Sequence, residues 1–472
     1  MPSLCSVASR TGLHGLFPPG RRICSIPTNW TATAIPLSST SSTRWRRPDY
    51  QKGTKNMSRP NIILILADDM GYGDCSCYGS TAIHTPHLDA LAANGLRCTD
   101  FHSNGAVCSP TRAALLTGRY QQRCGIGSVI SAANHRHIGL PDNETTFAQL
   151  LQADDYRTGL FGKWHLGYEP RFNPTRRGFD QFRGFVSGNI DYHSHIDQVG
   201  EEDWWAADAL SPEDGYTTDL VTEHGLRFIE ENHSTPFCLY LAHECPHYPY
   251  QGPADAAYRT PGNGQPAQGP RQDHPQAYKE MMESMDNGIG RIIAAVEAQG
   301  IAEQTLIFFF SDNGPSGPGS SGSLRGGKGT LWEGGHRVPA MACWPGVIAP
   351  GTETGFTAMG MDLFPTMMAI AGVELPAGLE LDGRDLSPIL QGQQPTDERT
   401  LFWRHHQQKA VRAGRWKLVT EGPEGAAPVL FDLTEDIGEK HNIAAAHPET
   451  VDALLGQLTH WEQTVASGEQ LS

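Results

Sequence analysis

The sequence predicts an α/β protein, with a parallel-style sheet flanked by helices and a small α+β segment behind it. Three observations carry this. Asn61 to Ala67 is an unbroken apolar run bounded by Pro60 and by Asp68-Asp69, the pattern of a strand buried on both faces. Two comparable runs, Phe237 to Ala242 and Leu306 to Phe310, also end in polar residues, His243-Glu244 and Ser311-Asp312-Asn313. Amphipathic helical segments separate these runs. An α/β sheet gathers its site at the carboxyl ends of its strands, where these polar residues fall.

The elements follow in order. Residues 1–57 hold eight basic residues, from Arg10 to Lys55, against one acid, Asp49. The stretch is rich in Ser, Thr and Pro without apolar periodicity, so it is read as disordered and set apart from the fold. Its apolar stretches are too broken for a secretory signal. Its composition permits an organellar transit peptide, but Met57, directly before the first strand, favours translation starting there, and the compartment is left open. Thr85 to Gly95 reads as a helix with Thr85 as N-cap, Pro86 in the first turn and Gly95 past the end. Gly252 to Pro275, with five Pro and four Gly, reads as a long loop that shapes substrate access. Met281, Met285, Ile289, Ile292 and Val296 recur at helical spacing and mark an amphipathic helix closed by Gly300. Past residue 395 the texture changes. Ala410 to Val419 and Val429 to Leu433 read as an antiparallel pair joined by Glu421 to Pro428, and Val451, Leu454, Leu455, Leu458 and Trp461 line a last helix. The expected division is a main domain over 58–390 and a subdomain over 391–472.

Composition narrows the function. The 472 residues carry 52 acids against 36 Lys and Arg, a net charge of −16. Without the extension the balance is 28 − 51 = −23, which argues against a nucleic-acid partner. No apolar run approaches the roughly 20 residues of a membrane span. The eight cysteines after residue 57 show no paired CxxC spacing, so neither a zinc ribbon nor a disulfide framework is indicated. Cys75 and Cys77 read as buried or loop thiols rather than metal ligands.

The most informative string is Ala106-Val-Cys-Ser-Pro-Thr-Arg-Ala-Ala-Leu-Leu-Thr-Gly118. On physics alone, Cys108 near a helix N-terminus and the Arg112 guanidinium is a candidate activated thiolate; a buried structural cysteine is the plain alternative. The whole string resembles the modification motif of the sulfatase family, in which the cysteine of Cys-x-Pro-x-Arg is oxidised to formylglycine, and every motif position matches. That family would supply, in its hydrated aldehyde, one hydroxyl to attack sulfur and another to expel sulfate by collapse to the aldehyde.

Other segments carry the same resemblance. Leu66-Ala-Asp-Asp-Met-Gly-Tyr-Gly-Asp74 is similar to the first metal motif, giving Asp68 and Asp69, and Ser311-Asp-Asn-Gly314 to the second, giving Asp312 and Asn313. With the modified Cys108 these make an all-oxygen site suited to Ca2+, with Mg2+ as second choice. Paired acids at one strand end are ordinarily a helix cap or a turn; two such pairs at two strand ends favour a metal. Gly162-Lys-Trp-His-Leu-Gly167 resembles the family's second motif and implies Lys163 and His165, although Asp155 stands where the pattern has a glycine. Ala242-His-Glu-Cys-Pro-His-Tyr-Pro249 implies a site histidine, taken as His243, with His247 read as structural. Gly326-Gly-Lys-Gly-Thr-Leu-Trp-Glu-Gly-Gly-His-Arg-Val-Pro339 resembles the lysine loop and implies Lys328.

The resemblance implies an alkaline-phosphatase-like mixed sheet and a sulfuric ester hydrolase that a formylglycine-generating enzyme matures. The metal, Lys163 and Lys328 would hold sulfate oxygens, Asp312 would help deprotonate the attacking hydroxyl, and Arg112 would steady the formylglycine. His243 would protonate the leaving alkoxide and His165 would take the proton that triggers sulfate release. Ser187 or Asn189 would add a hydrogen bond. Asp191-Tyr-His-Ser-His195 with Trp204-Trp205 reads equally as a ring-stacking cluster or a packed loop. A sulfated carbohydrate is the first substrate expectation and an aryl sulfate the second. A phosphonate monoester or phosphodiester hydrolase, or an unmodified binding protein on the same fold, are the alternatives.

Overall fold

The computed structural model describes residues 59–395, 398–420 and 427–466. The extension 1–57 and most of the expected connector Glu421 to Pro428 lie outside the described residues. In chain order the first half contains β1 (Asn61–Ala67), α1 (Pro86–Ala93), β2 (Leu96–Cys98), β3 (Phe101–His102), α2 (Cys108–Thr117), α3 (Phe147–Ala153), β4 (Arg157–Lys163) and β5 (Gln181–Phe185). Next come β6 (Trp205–Ala206), β7 (Ala209–Leu210), α4 (Thr217–Asn232), β8 (Phe237–Ala242), α5 (His274–Ala298), β9 (Thr305–Ser311), α6 (Glu333–His336) and β10 (Ala340–Cys343). The chain continues through β11 (Thr352–Thr354), β12 (Ala358–Met359), α7 (Leu363–Ala371), α8 (Ser387–Leu390), β13 (Thr400–His405), β14 (Gln408–Ala413), β15 (Trp416–Thr420), β16 (Val429–Asp432) and α9 (Pro448–Val465).

One ten-stranded mixed sheet runs β11-β2-β10-β9-β1-β8-β4-β5-β6-β7. Its centre, β9-β1-β8-β4-β5, is parallel. Because successive side chains of a strand point to opposite faces, β1 feeds both cores. Ile62, Leu64 and Leu66 pack on one side with α2, α3 and α7. Ile63, Ile65 and Ala67 pack on the other with α1, α4 and α5. This explains the unbroken apolar run, each large member of which contributes roughly 1.5–3 kcal/mol on burial.

The central elements match the sequence reading, with α5 starting two residues inside the expected loop. Thr85 caps α1 by position only: its hydroxyl accepts from the Ser76 amide instead. Asp155, where a glycine was expected, adopts φ 61°, the left-handed conformation that favours glycine, and it ends the turn before β4.

The C-terminal reading needs correction. The run from Ala410 to Val419 is two strands, β14 and β15, because Gly414 at φ 54° turns the chain between them. With β13 and β16 they form a four-stranded antiparallel sheet covered by α9. This sheet shares one core with Ala106 and Ala114 near Cys108, with Leu331 and Trp332 in the lysine loop, and with Met359 and Met361.

The strand order leaves Phe310 fully buried between the rings of Phe101 and Phe308. Phe310→Ala is expected to destabilise the fold by about 3–5 kcal/mol, read as a lower urea midpoint at unchanged slope.

Candidate active site

The site forms where β1, β9, β4 and β8 end. Ala67 pairs with Ser311, and the Asp312 amide donates to Ala67 O at 3.0 Å, so Asp68-Asp69 and Asp312-Asn313 meet side by side. The Asp69 amide donates to Asp312 Oδ1 at 3.3 Å, and Asn313 Nδ2 donates to Asp69 Oδ1 at 2.8 Å. All four side chains are buried. Asp69 sits at φ 65°, a strain that persists where the surroundings over-determine the backbone.

Three cations converge on these three carboxylates. Arg112, one turn into α2 from Cys108, donates to Asp312 Oδ2 through Nη2 at 2.9 Å and Nε at 3.2 Å. Its Nη1 donates to Lys163 O at 3.1 Å, which ties α2 to the end of β4. Lys163 pairs with Asp68. Lys328 reaches Asp69 Oδ1 at 2.6 Å and Cys108 Sγ at 3.5 Å. Glycines frame its loop, and Gly326 and Gly329 hold φ near 78° and 79°, which side chains resist.

Charge and burial set the protonation states. Burial pushes the Asp68 carboxyl up, but Lys163, His247, Arg112 and Lys328 outweigh it and hold the group well below the usual range. Asp312 is driven up to about 7, first by burial and then by Asp68. Cys108 is buried, and burial with Asp68 pushes its thiol well up despite Lys163 and Lys328. The sulfur donates to Asp68 Oδ1 at 3.3 Å. The activated-thiolate reading is therefore corrected: this site holds the thiol protonated.

The histidines sort unexpectedly. His247, set aside in the sequence reading, places Nε2 3.6 Å from Asp69 Oδ2, and its ligand atoms cluster with those of Asp68, Asp69 and Cys108. It returns to the site because Asp68 N donates to Cys245 O at 3.0 Å, pinning the turn after β8 to the end of β1. The charged groups acting on His247 are Lys328, Asp69, Asp68 and Lys163, whereas burial alone acts on His243. The His243 amide extends the β8–β1 pairing to Leu66 O, and its imidazole Nδ1 has no hydrogen-bond partner among the described residues. His165, two residues past Lys163 at φ 57°, donates through Nε2 to Ile130 O, 3.1 Å away. Lys163 and Arg112 add to the burial that depresses it.

Other expected groups lie in packed loops. Ser187 donates to Asn189 O, and the Asn189 side chain is shared between Arg259 and Gln198. Trp204 is buried and stacks on His195 at 4.5 Å, and Trp205 Nε1 bonds Asp203. These side chains are tied into the loop, and His193, His195 and Trp204 also line a cavity beside Glu213. Half-buried Tyr248 lies against His247, ring centres 4.2 Å apart and tilted by 35°, beside the acidic cluster.

Comparison with known proteins agrees with this geometry. A family model described as Sulfatase matches residues 60–373. The chain belongs to the sulfatase family. It is a sulfuric ester hydrolase. A second model, "N-sulphoglucosamine sulphohydrolase, C-terminal", matches residues 327–463. Similar proteins include Arylsulfatase A of Homo sapiens, 37% identical over 84% of this chain and 86% of that protein. N-acetylgalactosamine-6-sulfatase of Canis lupus familiaris is 31% identical over 84% of each. Among solved structures, Ps i-CgsB in complex with k-i-k-neocarrahexaose superposes with a TM-score of 0.79 at 28% identity, covering 88% of this chain and 94% of that one.

The buried neutral imidazoles give the sulfatase a pH dependence of stability. In the unfolded chain His243 takes up a proton near its ordinary value of 6.5, whereas burial holds it to about 4 in the fold. Protonation therefore favours unfolding between those values, so stability is full above pH 6.5 and falls toward pH 4. The melting temperature is expected to fall over that window, and His243→Gln is expected to make the fall shallower.

Proposed function

We propose that this sulfatase hydrolyses the sulfate ester of a sulfated carbohydrate, through a formylglycine made from Cys108 beside a bound Ca2+. The observation that carries the reading is the buried cluster in which Cys108 Sγ lies 3.3 Å from Asp68 and 3.5 Å from Lys328. A thiol held protonated there is a poor nucleophile, so the chemistry needs a different group at that point. Formylglycine, hydrated, supplies a hydroxyl that attacks sulfur and a second that releases sulfate as the aldehyde reforms. With Cys108 1% exposed, a formylglycine-generating enzyme reaches its sulfur only before the chain folds.

The donor set fits a hard divalent cation. Asp69 Oδ2 and Asn313 Oδ1 are buried without hydrogen-bond partners among the described residues, and Asp68 and Asp312 stand beside them. Oxygen ligands of this kind suit Ca2+ first and Mg2+ second. Bound there, the ion would supply positive charge against the sulfate oxygens. It would also offset the burial and the neighbouring Asp68 that together drive Asp312 up to about 7.

The chain's own groups do the rest. Three acids and three cations balance, so a divalent ion leaves a pocket with two surplus positive charges inside an acidic protein, as a sulfate ester requires. Lys163 and Lys328 hold sulfate oxygens. Arg112 orients the residue at 108 and keeps Asp312 in reach to accept a proton from the attacking hydroxyl. His247 takes the role assigned to His243, donating to the departing alkoxide; a bound sulfate beside it raises its proton affinity. His165 accepts the proton that accompanies sulfate release. The carbohydrate preference rests on the similarity to N-acetylgalactosamine-6-sulfatase and to the carrahexaose-bound Ps i-CgsB, with Tyr248 as the ring a sugar would meet.

After co-expression with a formylglycine-generating enzyme and alkylation, mass spectrometry of the tryptic peptide Cys98 to Arg112 is expected to show an aldehyde at Cys108 and alkylated Cys98. Two alkylated thiols would contradict the nucleophile, as would retained turnover in Cys108→Ala. Treatment with EDTA is expected to remove activity and Ca2+ to restore it; indifference to both would count against the metal.

A further inference from the structure

Lys328 is carried on a loop that has little rigidity of its own. Gly326, Gly327 and Gly329 surround it, and each glycine leaves the backbone more freedom to lose on ordering. The loop continues within five residues into the short helix α6, which begins at Glu333. That helix is held from the C-terminal sheet. Lys417 on β15, fully buried, donates to Glu333 Oε1 at 2.9 Å and lies 3.1 Å from His336 Nε2. Glu439, in the loop after β16, places Oε1 2.9 Å from the same ammonium and accepts the Glu333 amide through Oε2 at 2.7 Å. The Glu439 carbonyl also accepts Arg325 Nη1 at 2.9 Å, at the other end of the lysine loop.

Two features show that this is more than packing. Ligand atoms of His102, Glu333 and His336 cluster as a cation site would, and the Lys417 ammonium takes the cation's place against two of them. Glu439 is fully buried at φ 50°, a left-handed conformation that costs a non-glycine residue and persists only where its contacts demand it. Both ends of the loop therefore close on one strained residue of the C-terminal segment.

We propose that Lys417 and Glu439 are positioning residues, which fix Arg325 and Glu333 at the two ends of the lysine loop and thereby hold Lys328 against Cys108 and Asp69. The inference rests on the role of Lys328 in binding sulfate and adds that the C-terminal sheet sets its place. A loop freed by even about 1 Å misplaces the ammonium enough to cost on the order of 100-fold.

The test is a double-mutant cycle on the full-length, matured enzyme, with 4-nitrophenyl sulfate as substrate and inorganic sulfate as competing inhibitor. Lys417→Met and Glu439→Gln are each expected to lower kcat/KM about 10- to 100-fold. Both should weaken inhibition by sulfate while the folded circular dichroism signal is kept. Lys328→Ala alone is expected to lose about 100- to 1,000-fold, and adding either variant to it should lose nothing further. Losses that multiply in the double variants would overturn the inference, since the residues would then act independently of Lys328. Full activity in folded Glu439→Gln would also overturn it, and that variant decides the matter if Lys417→Met does not fold. Wild-type activity in Lys328→Ala would be a different failure, striking the assigned role of Lys328 itself.

Discussion

Three carboxylates forced together out of water are the constraint on which the rest of this structure depends. The register that pairs Ala67 with Ser311 puts Asp68, Asp69 and Asp312 in one buried volume. Like charges at that range cannot all ionise without compensation. Each surrounding element answers that demand. The end of β4 brings Lys163, the first turn of α2 brings Arg112, and the glycine loop brings Lys328. Remove the acids and the buried Arg112 and Lys163 would themselves be stranded.

On the proposed reading, the same balance would account for selectivity toward an anion in a strongly acidic protein. Side chains alone leave the cluster near neutrality, so its attraction for sulfate is set by whatever cation joins it. A cleft lined by one sign of charge then focuses the field locally while the acidic exterior acts only at longer, screened range.

The C-terminal sheet belongs to this machinery as much as to a separate subdomain. Its strands share a core with the segments that carry Cys108 and Lys328. A buried Lys417 between Glu333 and Glu439 is costly unless its geometry is exact in register, and such an arrangement specifies one docking of the sheet on the lysine loop. The boundary expected near residue 390 thus separates textures of sequence, while the packing runs across it.

The central sheet, and the gathering of its terminal acids at one edge, were legible in the sequence for physical reasons. Strands buried on both faces must read as unbroken apolar runs, and acids ending such runs must meet at one edge of the sheet. The cysteine motif, Lys163 and Lys328 were likewise legible as local strings, because their places depend on local backbone: a helix start, a strand end, a glycine loop. Which of His243 and His247 comes to Asp69 was not legible. It depends on Asp68 N reaching Cys245 O, a contact across 177 residues that turns the second imidazole, not the first, toward Asp69. The protonated state of Cys108, the division of Ala410 to Val419 at Gly414, and the grip of Lys417 on Glu333 were decided only in the folded chain. Burial, left-handed backbone and long-range ion pairing are properties of where residues end up, and no local string encodes them.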